Sequence, residues 1–228
     1  MARGEFSPSY FILIDSSSLP LLMKILLAGV LGGIVMFIWT SIAHMFLPLG
    51  EAGIREIPNE AAVLDAMKAN IGENRGLYIF PGSGLGRNAT RQEKNETMKH
   101  VGEKYANNPS GILMYHPPGR PLTMGKWLGI EFATELLESI LVVFLLAQTR
   151  LSSFGGRVGF VMVAGILAAI ATNVSYSNWY GFPCIYTASY MFIQFVGFIC
   201  VGLVAGLLLR KTSQPIVDNR SPSAPATP

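Results

Sequence analysis

Charged residues are scarce in this sequence. Only 14% of the chain is Asp, Glu, Lys or Arg, where a soluble domain carries about 25%. What charge there is gathers between residues 50 and 126, and long stretches hold none. That unevenness excludes an ordinary soluble domain and points to membrane spans around a water-exposed segment. Cysteine is nearly absent. Cys184 and Cys200 fall in a short loop and deep in an apolar run, so a disulfide would have to join different membrane depths, and free thiols are expected. The net charge of +3 comes from dispersed basic residues, which leaves no footprint for nucleic acid. No Cys/His zinc pattern, nucleophile elbow, HExxH pair or phosphate-binding loop is present. No cofactor, motif-based metal site or catalytic residue is therefore nominated.

Hydrophobic residues make up 50% of the chain, and they come in runs. Residues 25–47 hold no Asp, Glu, Lys or Arg, enough chain for a ~30 Å hydrocarbon core at ~1.5 Å per residue. Residues 127–149, 158–178 and 185–209 make three more spans, the first of them carrying three glutamates. The expected fold class is an all-α membrane protein, a bundle of four transmembrane helices with a small α/β insertion at 48–126. Residues 1–24 read as a tail, with Ser16, Ser17, Ser18 and Pro20 interrupting any helix, and residues 210–228, rich in Pro and Ser, as a disordered one.

The short flanks orient the spans. Lys24, Arg150, Arg157, Arg210 and Lys211 share one set of helix ends, while the 177–184 loop is uncharged and offers Trp179 and Tyr180 as an aromatic belt. A multi-pass protein of the cell membrane follows, with both termini cytoplasmic and residues 48–126 extracytoplasmic. A rival reading starts translation at Met23 and treats the first span as a signal peptide cleaved near Ser41-Ile42-Ala43. Its apolar run exceeds the 7–15 residues of a typical signal core.

The insertion is patterned rather than a bare linker. Asn59 is expected to cap a helix ending near Gly72, and Thr90 with Glu93 forms a capping box for a helix reaching about Tyr105. A short strand-like run with its turn follows each helix, at 76–82 and at 111–119. The two strands are expected to pair, covered by the two helices. Asn88-Ala89-Thr90 and Asn95-Glu96-Thr97 match the glycosylation acceptor pattern.

Glu131, Glu135 and Glu138 are the sharpest feature. At 100° per residue they fall within about 60° on one helix face and span ~10 Å along the axis. Ionisable groups inside a span usually face the protein interior and are functional candidates. Glu131 has an additional explanation, lying in the first turn beside Trp127 where the helix dipole favours an anion. His44 with Thr40 and Ser41, Asn173 with Thr172 and Ser175, and Gln194 fall in the same half of the membrane. The other half is almost wholly Leu, Val, Ile, Gly and Ala. Three readings stay open: polar groups that satisfy one another across helices, a cavity for a proton, cation or small polar ligand, and a metal site of Glu135, Glu138 and His44. Gly29, Gly32 and Gly33, and the Gly202–Gly206 pair, read as close helix packing.

The Asn178-Trp179-Tyr180-Gly181-Phe182-Pro183 stretch, with the Leu-Tyr-Ile-Phe-Pro-Gly run at 77–82, resembles small bacterial multi-pass membrane proteins of four helices and no known activity. The resemblance covers roughly residues 24–210 and implies a bacterial inner membrane. Three functions remain in play. The first is a non-enzymatic accessory or assembly component with the bilayer and protein partners, or a second copy of itself, around it. The second is a small oligomeric transporter or ion-conducting protein, and the third a membrane-embedded enzyme.

Overall fold

The computed structural model describes residues 19–86 and 88–209. The elements run α1 (Leu21–Met45), α2 (Glu60–Ile71), β1 (Gly76–Phe80), α3 (Arg91–Asn107), β2 (Gly111–Tyr115), α4 (Met124–Ala147), α5 (Phe154–Tyr180) and α6 (Cys184–Leu208). The expected tails before residue 19 and after residue 209 lie outside the described residues.

The four long helices pack antiparallel to their chain neighbours. α1 is central, pairing with both α4 and α6, while α5 pairs with α6. α4 meets α5 and α6 only slightly. Glycine decides how closely α1 and α4 approach. A Cβ added at Gly29 would stand 2.8 Å from the Ile140 Cα, and one at Gly33 the same distance from the Leu136 Cα. On the other seam, a Cβ on Gly206 would meet the Phe154 ring at 2.9 Å. The glycines singled out in the sequence thus sit at helix–helix contacts, as small residues do where helices must associate without water to drive them.

Three helices, α1, α5 and α6, are long and apolar enough to cross a membrane. α4 is as long, at 24 residues, but its three glutamates break the apolar run. Its outer face remains hydrophobic, with Leu137, Leu141 and Leu145 exposed. Val143, Val161 and Val201 are fully buried at the centre of the bundle, in a core that Ile25, Ala28, Val142, Leu146 and Ala205 extend toward the far end.

Helix boundaries depart from the expected spans at their caps. α5 starts four residues before 158 because the Ser153 side chain accepts from the Gly156 N–H at 3.1 Å. It also runs on through Asn178, Trp179 and Tyr180, so the loop expected at 177–184 shrinks to residues 181–183. The helix stops only at Gly181, whose φ of 71° is the left-handed cap conformation that lacks a Cβ penalty. Pro183 then opens α6.

The insertion keeps its helix–strand order twice over. β1 and β2 pair antiparallel with Gly76 opposite Tyr115 and Phe80 opposite Gly111. The Tyr115 hydroxyl donates to the Gly72 carbonyl at 2.9 Å, tying β2 to the end of α2. The two helices do not cover the sheet as expected. α2 buries no residue, and Leu77, Ile79, Met98 and Met114 are all exposed. Two strands and two short helices present too little apolar surface to close a core of their own. Asn59 stands at the amino-terminal cap of α2 without a side-chain bond.

The capping box of α3 is formed. Glu93 N–H donates to Thr90 Oγ1 at 3.2 Å, and Thr90 N–H donates to the Glu93 carboxylate at 2.7 Å. The bond from the Thr90 backbone, then that from its hydroxyl, hold the Glu93 carboxyl below its usual 4.5. A carboxyl lowered on folding adds stability above its unfolded value and loses it as the pH falls through the folded one. Thr90→Ala should cost α3 about 1 kcal/mol. Protection of the amides in the first turn of α3, relative to their intrinsic exchange, should fall in that variant, and should fall in the parent on acidification below about pH 4.5. Equal protection in parent and variant at neutral pH would refute the role of the cap.

Candidate functional site

All four long helices contribute to one cavity of about 230 Å³ in the half of the bundle nearest the insertion. α1 supplies Met36, Thr40 and His44, and α4 supplies Glu131, Thr134, Glu135 and Glu138. α5 supplies Thr172 and Asn173, and α6 supplies Tyr190, Ile193 and Gln194. The slight contact of α4 with α5 and α6 leaves the space between them. The six polar residues nominated from the sequence, Glu131, Glu135, Glu138, His44, Asn173 and Gln194, are thus brought together. Ser41 and Ser175 do not line the cavity.

The three carboxylates differ in setting. Glu131 is exposed, Glu138 half-buried and Glu135 only 4% exposed. Thr40 is the hydroxyl neighbour of Glu135, yet Glu135 Oε2 has no hydrogen-bond partner among the described residues. Ser139 Oγ, one turn further along α4, is also buried without a partner. A buried carboxylate oxygen with nothing to accept from costs free energy that a proton, a water or a cation must offset.

The neighbours of Glu135 are themselves fixed. Asn173 Nδ2 donates to the Ala169 carbonyl at 3.0 Å and to Gln194 Oε1 at 3.4 Å, joining α5 to α6. His44 Nδ1 lies 2.9 Å from the Thr40 carbonyl. A carbonyl only accepts, so Nδ1 carries the proton, and in the neutral ring Nε2 is left as an acceptor. Gly50 allows the chain after α1 to close over this ring, since a Cβ there would stand 2.6 Å from His44 Cδ2. Among the described residues, no lysine or arginine lines the cavity.

An aromatic file leads from the uncharged turn to the cavity. Tyr180 packs on Tyr176, Tyr176 on Phe182 and Phe182 on Tyr186, with ring centroids 5.3–5.7 Å apart. Tyr186 stacks on Tyr190 at 4.3 Å, and Tyr190 meets His44 edge-on at 5.6 Å. The sequence showed an aromatic belt here. The i, i+4 spacing of Tyr176 with Tyr180 and of Tyr186 with Tyr190 was the signal that these rings form files on their helices.

Trp179 and Tyr180 also face the insertion. With Phe182 they line a second groove, of about 660 Å³, opposite Ile79, Tyr105, Ile112 and Met114. Trp179 is 78% exposed and Met114 72%. Nearby, Arg120 Nη1 donates to His116 Nε2 at 3.1 Å, and its guanidinium lies 5.4 Å from the centre of the Trp127 ring. Desolvation, then Arg120 and Arg75, push the His116 imidazole below its usual 6.5.

Arg157 is the residue whose role was hidden. It was counted as one of the cytoplasmic charges, but it is only 4% exposed. Its guanidinium donates to the carbonyls of Leu151, Ser152 and Gly206. Gly206 lies in the last turn of α6, where carbonyls have no helical partner and carry the negative end of the helix dipole. Cys184 and Cys200 are free thiols. Comparison with protein-family models, with curated proteins and with solved structures finds no match.

Proposed function

We propose that this chain is a four-span protein of the cell membrane that holds a small cationic ligand in its carboxylate cavity. In this reading α4 is the fourth span, its glutamates turned inward and its leucines toward lipid. Both termini lie in the cytoplasm and residues 48–126 outside, because Lys24 and Arg150 stand at one end of the bundle and the 181–183 turn at the other has no charge. The resemblance in that turn supports the inner membrane of a bacterium as the location. The observation that carries the proposal is Glu135, buried, aimed into the cavity and short of a partner.

Binding is favoured over conduction. Val143, Val161 and Val201 are fully buried in the bundle, and beyond them the buried Arg157 has its donors engaged by the backbone carbonyls of Leu151, Ser152 and Gly206. The second groove favours an accessory role alongside binding. Exposed Trp179 and Met114 line it outside the bundle, where a partner could be met.

Thiol labelling tests the arrangement. In a Cys184→Ser, Cys200→Ala background, Thr134→Cys should react with a charged, membrane-impermeant reagent added outside. Leu141→Cys, on the outer face of α4, should stay unlabelled. Reaction of Thr134→Cys only from the cytoplasmic side would reverse the topology, and none from either side would remove the open cavity.

A further inference from the structure

The lining of the cavity constrains what it binds. Its charged groups are all acceptors, beside the Gln194 amide and the Thr40 and Tyr190 hydroxyls, which can donate. Glu131, Glu135 and Glu138 offer carboxylate oxygens, and His44 offers Nε2 once Nδ1 is engaged with Thr40. The Asn173 amide already donates to Gln194 and Ala169. A ligand that satisfies this lining must therefore bring several donors and positive charge.

A bare metal ion is a poor match. The carboxylates climb one helix face over ~10 Å, whereas donors to one metal sit ~2.0–2.6 Å from it. Among the described residues, no three His, Cys, Asp or Glu side chains lie close enough to share one ion. The remaining walls are apolar or aromatic. Met36 and Ile193 are buried at the inner end. The Tyr190 ring, stacked on Tyr186 and braced by His44, forms a face on which a hydrocarbon body or a cation rests favourably. A hydrated inorganic ion would make no use of those walls.

We infer that the ligand is a small organic ammonium ion, its N–H groups donating to the unpartnered oxygen of Glu135 and its neighbours and its hydrocarbon body lying between Tyr190 and Ile193. The inference rests on the proposed binding role of the cavity. Such an ammonium reaches the site either as a free amine from outside or as the headgroup of an aminophospholipid entering between α4 and α5.

The test uses the full chain in nanodiscs of phosphatidylcholine, whose quaternary headgroup has no N–H to donate. Benzylammonium, its neutral counterpart benzyl alcohol, and the chlorides of potassium, magnesium and zinc are titrated by calorimetry. Benzylammonium should bind about 10- to 100-fold more tightly than benzyl alcohol, the range expected for a hydrogen bond to a charged group. Glu135→Gln should weaken it by a similar factor. Glu138→Gln should weaken it less, which keeps the test valid if the first variant unfolds. Glu60→Gln, on α2, should leave binding unchanged.

In discs containing phosphatidylethanolamine, weakened benzylammonium binding identifies the lipid headgroup as the source. Unchanged binding identifies a free amine. Equal affinity for benzylammonium and benzyl alcohol overturns the inference. So does binding of a metal chloride at Glu135 without benzylammonium binding, an outcome that leaves the cavity a cation site. If nothing binds and Thr134→Cys is unreactive from both sides, the inference and the proposed function fall together.

Discussion

Replacing Arg157 by alanine should destabilise the bundle by about 3–5 kcal/mol. The guanidinium is buried and makes three bonds to carbonyls of two different segments, the loop before α5 and the last turn of α6. Removing it leaves the buried Gly206 carbonyl short of a donor and leaves a void between α5 and α6. It also removes the positive charge that faces the negative end of the α6 dipole. The three bonds act as a unit, so their loss is not a sum of three independent terms. Arg157→Lys keeps the charge but has a compact ammonium in place of the planar fork, and reaches fewer of the three carbonyls. It should lie between parent and alanine variant. Thermal unfolding in detergent would show this order of midpoints. An alanine variant that unfolds within about 1 kcal/mol of the parent would mean that the guanidinium bonds are replaced by water without loss.

Valine at Gly29 and Gly33 should separate α1 from α4 and disable the cavity. At each position a Cβ alone would fall 2.8 Å from a Cα of α4, and backbone does not step aside as a flexible side chain does. Overpacking of this kind costs about 1–3 kcal/mol per site, and two sites one turn apart are coupled rather than additive. α4 has little else to hold it, because its contacts with α5 and α6 are slight. Moving it outward carries Glu131, Glu135 and Glu138 away from His44 and Gln194. Benzylammonium binding should therefore fall at least as far in this double variant as in Glu135→Gln, even though no cavity residue is changed. Calorimetry beside thermal unfolding tests both halves. Unchanged binding with lowered stability would show that the cavity does not depend on this seam.

These two sites differ in how far the sequence disclosed them. Gly29 and Gly33 declare themselves, because glycines one turn apart in an apolar run have few uses other than close approach. Arg157 gave the wrong impression. A lone arginine beside a short loop carries the same pattern as any charge left at the membrane surface. Only the fold of the α4–α5 loop against the end of α6 shows that its charge is buried.

The carboxylate face was legible for a physical reason. Helical periodicity places Glu131, Glu135 and Glu138 on one side of α4 whatever surrounds it, and that side is the one that lines the cavity. The antiparallel order of α4, α5 and α6 follows from the short 148–153 and 181–183 connections, and with α1 packed antiparallel to α4 it sets Thr40, His44, Asn173 and Gln194 at the same height as the glutamates. Local rules also settled the capping box of Thr90 and Glu93 and the two strand-like runs of the insertion. These depend on residues near in the chain.

What the tertiary structure alone decided is lateral. Height along the bundle follows from counting residues, but which helices touch does not. That α1 sits between α4 and α6, that α4 stands off from α5, and that the space between them becomes a cavity with one unpartnered oxygen all depend on side chains far apart in sequence. The same holds for the bare sheet of the insertion. Its strand patterns were visible, yet whether α2 and α3 would cover them rested on packing between separate elements, which no local pattern encodes.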